Sequence, residues 1–206
     1  MTTSGFLSQI LGASSDDGDP AILDGALAAF LDFGIKRTSM GEIAKRSGVS
    51  PATLYRRYAS KTAVVEAVGL REAQRFVTAV DSRVDRSAPV EVQVAAGFSS
   101  FVAILSGNPL LRRLLITEPD VLLPYLTTNG GPLLALGRAY LADYIGELQG
   151  NAKLREFDTE QVAEILARLA LSLALTPDGI IPVEDEKAAQ EFALAHIATL
   201  LRIPST

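Results

Sequence analysis

The chain has 206 residues, 48% of them hydrophobic, with a net charge of −5, no cysteine and a single histidine. Disulfides, thiolate metal sites, a cysteine nucleophile and a histidine-rich metal centre are therefore excluded. No uninterrupted apolar run approaches the roughly 18 residues of a membrane span, and the opening MTTSGFLSQILGASSDDGD lacks the basic stretch of a signal peptide, so a cytoplasmic location with no membrane partner is the expectation.

Residues 1–18 are small and polar, acidic near their end, and read as an N-terminal arm. Asp19 and Pro20 form a cap and first-turn start for a helix whose Leu23, Ala26, Leu27, Phe30 and Phe33 share one face, and Gly34 stands where it stops. Ser39 and Glu42 then have capping-box spacing, and Met40, Ile43 and Ala44 form a buried stripe that ends at Gly48. Ser50 caps the next helix and Pro51 suits its first position. Leu54 points inward there, leaving Ala52, Thr53, Tyr55, Arg56 and Arg57 on the other face. Ser60 caps a further helix with Lys61 in its first turn. Two short capped helices joined at a glycine turn read as a helix-turn-helix, and the second is short enough to lie across a DNA major groove.

The run resembles the N-terminal domain of the tetracycline-repressor (TetR) family of bacterial transcription regulators. Thr38, Ser39, Ile43, Ala44, Gly48, Val49, Ser50, Leu54, Tyr55, Tyr58, Ser60 and Lys61 carry the likeness, which extends over about residues 20–75. Ser47, Arg57 and Ala59 depart from the family pattern without removing a helix signal. The resemblance implies a DNA contact set of Thr38, Ser39, Ser50, Pro51, Ala52, Thr53, Tyr55, Arg56, Arg57 and Lys61. Charge agrees: residues 20–75 hold nine Lys and Arg against five Asp and Glu, whereas the remainder holds ten against nineteen. Phosphate neutralisation needs local rather than global positive charge.

Helices are expected to follow over about 60–84, 89–106, 109–118, 119–128, 133–148, 158–174 and 184–201, with a loop at TPDGIIP. Nothing alternates with period two, so no sheet is expected. The fold class is all-α. The domains expected are an arm over 1–18, a DNA-binding domain over 19–59, and a helical effector-binding and dimerisation domain over 60–206.

The last two long helices are apolar almost all round, which requires burial on several sides. Either a monomer core or a second copy can provide it. The family pairs these helices across a two-fold axis, which points to a homodimer through Leu166, Leu169, Leu173, Leu194, Ile197 and Leu201. His196 falls in the same stretch. The family also encloses a small effector in its central helices. Phe98, Phe101, Leu122, Tyr125, Leu126, Tyr140 and Tyr144 are the candidate lining, with plain core as the alternative role. Few charges fall there, so the effector expected is apolar or amphipathic.

An enzyme is not expected. Serine has no strand-turn-helix elbow, no glycine loop suits a phosphate, and no glutamate stands three residues before His196. Neither a cofactor nor a metal is expected. The reading is a ligand-responsive repressor that binds a palindromic operator in double-stranded DNA as a dimer. A helical protein–protein adaptor is the alternative, but it gives no reason to place Arg56 and Arg57 beside Thr53 and Tyr55.

Overall fold

A computed structural model describes residues 19–151, 154 and 156–201. The expected arm of residues 1–18 lies outside the described residues. Among the described residues eleven α-helical segments follow one another: α1 (Pro20–Phe33), α2 (Met40–Arg46), α3 (Pro51–Arg57), α4 (Lys61–Asp81), α5 (Val90–Ser106), α6 (Pro109–Thr117), α7 (Pro119–Leu126), α8 (Gly131–Gly150), α9 (Thr159–Leu175), α10 (Glu186–Phe192) and α11 (Ala198–Leu200). A π-helical turn, Ala193–Ile197, joins the last two. No strand occurs among the described residues, as the sequence pattern requires.

Helix starts follow the caps. Asp19 accepts from the Ala21 amide at 3.1 Å, and Ser39 and Ser50 accept from the amides of Glu42 and Thr53 at the same distance. Asn108, Asp158 and Asp185 do likewise for α6, α9 and α10. The capping box at Ser39 is only half used. The Glu42 carboxylate turns down its helix and accepts from Arg46 Nε at 2.9 Å, an i, i+4 pair that suits the helix surface. Gly48 takes a φ of 67°, where a side chain would be strained, and so lets the chain turn from α2 into α3. Ser47, a departure from the family pattern, donates its hydroxyl to the Ile43 carbonyl at 2.7 Å.

The described residues gather into two compact units, and packing does not divide the chain at residue 60. One unit holds residues 19–75 together with 108–129; the other holds 76–107 together with 130–201. The first has a core of Ile22, Phe30, Ile43, Leu54, Val64 and Val68, closed by Leu114 from α6. In the second, Val90, Val94, Ile145, Leu148, Ala163 and Ile197 form the main cluster. Val102, Leu173, Val183 and Ala189 form a smaller one.

Candidate nucleic-acid interface

Leu54 fixes which way α3 faces. Its side chain is fully buried among Ile43, Val64 and their neighbours. With 3.6 residues per turn, burying Leu54 turns its sequence neighbours outward. Pro51, Ala52, Arg56 and Arg57 are exposed, and Tyr55 is 55% exposed. A large aromatic ring left this open on a short helix is available to a partner. Thr53 is half-buried, and its hydroxyl shares a 2.9 Å hydrogen bond with that of Ser50. Arg56 and Arg57 make no ion pair among the described residues.

Two other cations of this unit are compensated. Arg46 bridges Asp32 at 2.7 Å and Glu42 at 2.9 Å and lies over the Phe33 ring. Its hydrogen bonds to Glu42 and then Asp32 hold its guanidinium above the usual range. Lys36 pairs with Asp120 at 2.6 Å, and that hydrogen bond holds the Asp120 carboxyl below its ordinary value.

Two residues expected at DNA turn inward instead. Thr38 is buried, and its hydroxyl donates to the Gly34 carbonyl at 2.6 Å and reaches the Ala29 carbonyl at 3.3 Å. The Lys61 ammonium donates to the carbonyls of Ile35, Lys36 and Thr38 at 3.0, 3.2 and 3.1 Å. An ammonium has three protons, so Lys61 is occupied by its own chain. Its place in the helix-turn-helix suggested a phosphate contact; the structure makes it a tie for the connection between α1 and α2. Ser39 and Ser50 are exposed and serve as caps. Sequence reasoning passed over Arg37 and Lys45, both exposed and basic in the stretch around α2. The signal that could have found them is their position just outside α2 and on its outer face.

The residues expected to line an effector site divide between the units. Leu122, Tyr125 and Leu126 belong with α1–α3, whereas Phe98, Phe101, Tyr140 and Tyr144 belong to the second unit. In that second unit, Tyr140 and Tyr144 stack with ring centroids 6.4 Å apart. Both hydroxyls are already taken. Tyr140 donates to Asp81 at 2.8 Å and Tyr144 to the Gln93 side-chain oxygen at 2.9 Å. Burial is the main cause that raises both pKa values, that of Tyr144 to about 12. Arg86 lies over the Tyr144 ring at 4.1 Å and pairs with Asp81 and Glu147. Gln93, fully enclosed, donates to the Arg86 and Ala88 carbonyls. This network ties down the loop between α4 and α5. Phe98 packs on Phe192 and Phe101 on Phe76. Tyr125 is held above its usual pKa, by burial first and then by Glu66.

The six residues expected at a dimer contact also separate. Leu173, Ile197 and Leu201 are buried within the single chain, Leu166 and Leu169 are half-buried, and Leu194 is 46% exposed. One copy therefore covers more of these helices than their composition suggests, because α5 packs against α10 and α8 against α9. Ile165 and Leu200 join Leu194 as exposed apolar side chains on the same segments. His196 is exposed, its ring 4.9 Å from that of Phe192.

A capped helix-turn-helix with an outward Tyr-Arg-Arg face, followed by a helical C-terminal region, is the architecture of a helix-turn-helix DNA-binding protein. Two family profiles match the chain: that of bacterial regulatory proteins of the tetR family over residues 22–68, and that of the bacterial tetracyclin repressor C-terminal domain over residues 90–198. The chain belongs to the TetR family, and it is a DNA-binding transcriptional regulator. It is 27% identical over 177 residues to the HTH-type transcriptional regulator AlkX of Mycobacterium tuberculosis, covering 82% of this chain and 81% of that one. Among solved structures it is similar to the TetR family repressor AlkX from Dietzia sp. strain DQ12-45-1b. That match has a TM-score of 0.71 at 21% identity and covers 91% of this chain and all of the other. It is also similar to the Rhodococcus erythropolis repressor QsdR, with a TM-score of 0.65 at 22% identity and coverage of 90% and 94%. Regulators of this family are typically not enzymes. No single helix among the described residues is long and apolar enough to cross a membrane.

Proposed function

We propose that this regulator is a repressor that places α3 in the major groove of a palindromic operator, one helix from each copy of a homodimer. The observation that carries the reading is the contrast across α3: Leu54 is fully buried while Tyr55, Arg56 and Arg57 stand open with no intramolecular counter-charge among the described residues. Such groups meet base edges and phosphates on a duplex. The contact set is Ser39, Ser50, Pro51, Ala52, Thr53, Tyr55, Arg56 and Arg57, with Arg37 and Lys45 beside it. Two half-sites one turn apart, about 34–36 Å, match a two-fold protein. The copies meet through the outward stripe of α9 and the last helical segment, on Ile165, Leu194 and Leu200. A regulator of transcription works where the chromosome is, in the cytoplasm.

Release comes from a small apolar or amphipathic effector held by the helices around Phe98 and Phe101. Tyr140 and Tyr144 support that site through their internal network rather than by offering free hydroxyls. The Dietzia AlkX repressor is implicated in biodegradation of n-alkanes, which favours an unbranched hydrocarbon chain as the effector class. An effector that binds one arrangement of the dimer draws the population away from the DNA-binding spacing.

The test is selection from random duplex DNA with the purified protein, followed by titration of salt. A palindromic consensus and a steep salt dependence are expected. Failure to enrich any duplex at low salt would sink the operator reading. Alkane and fatty-acid chains are then added to the complex, and release by at least one of them is expected.

A further inference from the structure

The connection between α1 and α2, residues 34–38, is short of regular structure, yet its backbone is almost wholly engaged. The Glu118 carboxylate, 6% exposed, accepts from the amides of Ile35 at 2.8 Å and Lys36 at 3.1 Å. Lys61 takes the carbonyls of Ile35, Lys36 and Thr38 from the other side. Arg113 donates to the carbonyls of Leu31 and Asp32 at the end of α1. Gly34 has a φ of 80°, and a Cβ there would run into Glu118 Oε1. The glycine therefore serves the carboxylate as well as the turn: any side chain would displace it.

Glu118 sits at the corner where α6 ends and α7 begins. That corner belongs by sequence to the C-terminal half, more than 80 residues from Ile35. A buried carboxylate is costly unless it is fully hydrogen-bonded, and charge-assisted bonds to amides are among the stronger kinds. Simple packing of α6 and α7 on α1 needs no such group, because Leu114 and Leu122 already supply apolar contact.

We propose that Glu118 is a positioning residue for DNA binding. By holding the amides of Ile35 and Lys36 it fixes the connection that carries α2 and α3, and so the pose in which α3 meets the duplex. The inference rests on α3 being the recognition helix.

The experiment compares wild type, Glu118→Gln and Glu118→Ala on a palindromic duplex selected with the wild-type chain. Circular dichroism, sedimentation and amide hydrogen exchange are read alongside. Glu118→Ala is expected to bind the duplex about tenfold more weakly, within the usual range of coupling between sites. The amides of Ile35 and Lys36 should exchange faster while α9 and α10 keep their protection and the oligomeric state holds. Glu118→Gln keeps an acceptor without the charge, so it should fall between the two. If Glu118→Ala fails to fold, Glu118→Gln decides by the same readouts. Wild-type affinity in the folded variants overturns the proposal, and so does a loss of affinity with unchanged exchange at Ile35 and Lys36. A wild-type chain that selects no duplex would instead refute the recognition-helix reading, so the two failures are distinguishable.

Discussion

Arginine is used in opposite ways at two places, one in each unit. In the unit of α1–α3, Arg56 and Arg57 are exposed and carry no ion pair among the described residues. In the other, Arg86 is drawn in over the Tyr144 ring, between Asp81 and Glu147. An unpaired surface guanidinium keeps its charge for a partner and is well hydrated while it waits. A partly buried one needs acceptors and an aromatic face to offset its lost hydration. The first arrangement serves recognition; the second serves the loop between α4 and α5. The same contrast separates Leu54, which orients a helix for an outside partner, from Ile197, which closes the chain's own core.

The largest effect expected tests that last distinction. Ile197→Glu puts a carboxylate into the apolar cluster that holds Val94, Ile145 and Leu148, in a site now 5% exposed. The cost is expected at about 3–5 kcal/mol, the order found for an uncompensated buried charge, and the protomer should lose helix in circular dichroism. Leu194→Glu, on an exposed position, should keep the helical signal and reduce self-association in sedimentation. If both variants behave alike, the division between inner and outer faces of the last helix is wrong. Next in size is Leu54→Ala, expected to cost ~2–5 kcal/mol as buried leucines do. Hydrogen exchange should show the loss in α1–α3 and spare α8 and α9. A protein that opens everywhere at once would show that the two units are not separately stable.

These residues were not equally legible in the sequence. Helix starts in both units could be read directly, because a cap and its amide lie two or three residues apart: Ser39 to Glu42, Ser50 to Thr53, Asp158 to Gln161. Leu54 was legible for the same reason, as periodicity alone sets its direction. What escaped is held by distant partners. Lys61 looked like a phosphate contact because its carbonyl partners lie 23 to 26 residues earlier, in a connection that has no pattern of its own. Glu118 gave no signal at all, since a lone acidic residue before a proline reads as a helix end. The burial of Leu173, Ile197 and Leu201 was hidden too. Composition counts apolar side chains on a helix but does not reveal how many other helices of the same chain reach them.

The tyrosine network gives its own unit a dependence on pH. Burial, opposed by Arg86 and helped by the Asp81 and Glu147 carboxylates, holds Tyr144 up to about 12, against about 10 in an unfolded chain. Below about pH 10 both states keep the proton, and the stability of the pair is fully present. Between about pH 10 and 12 the unfolded chain loses its proton first, so stability falls as pH rises. Denaturant melts across that window should show the decline, and Tyr144→Phe should make it shallower. At neutral pH the same variant leaves the Gln93 oxygen without its donor and should cost about 1–3 kcal/mol. A decline as steep in the variant as in wild type would place its origin outside this network.

The smallest effect on stability is expected at the recognition face, and there the informative comparison is Arg56→Ala with Lys61→Ala. Arg56 touches no intramolecular acceptor among the described residues, so its removal should leave the melting temperature within the scatter expected of an exposed surface change. Its effect should appear only with DNA present: weaker binding, and a salt slope reduced by about one unit if the lost contact is a phosphate. A change in the selected consensus would instead assign Arg56 to a base. Lys61→Ala removes three hydrogen bonds to the carbonyls of residues 35, 36 and 38. It should lower the melting temperature first and DNA affinity as a consequence, with the salt slope nearly unchanged, because no phosphate contact is lost. The two lysine and arginine positions stand five residues apart, carry the same charge and look alike in sequence. If Lys61→Ala flattened the salt slope as Arg56→Ala does while melting like wild type, the ammonium would have to leave its three carbonyls on the duplex, and the tie across the α1–α2 connection would be a feature of the free protein alone.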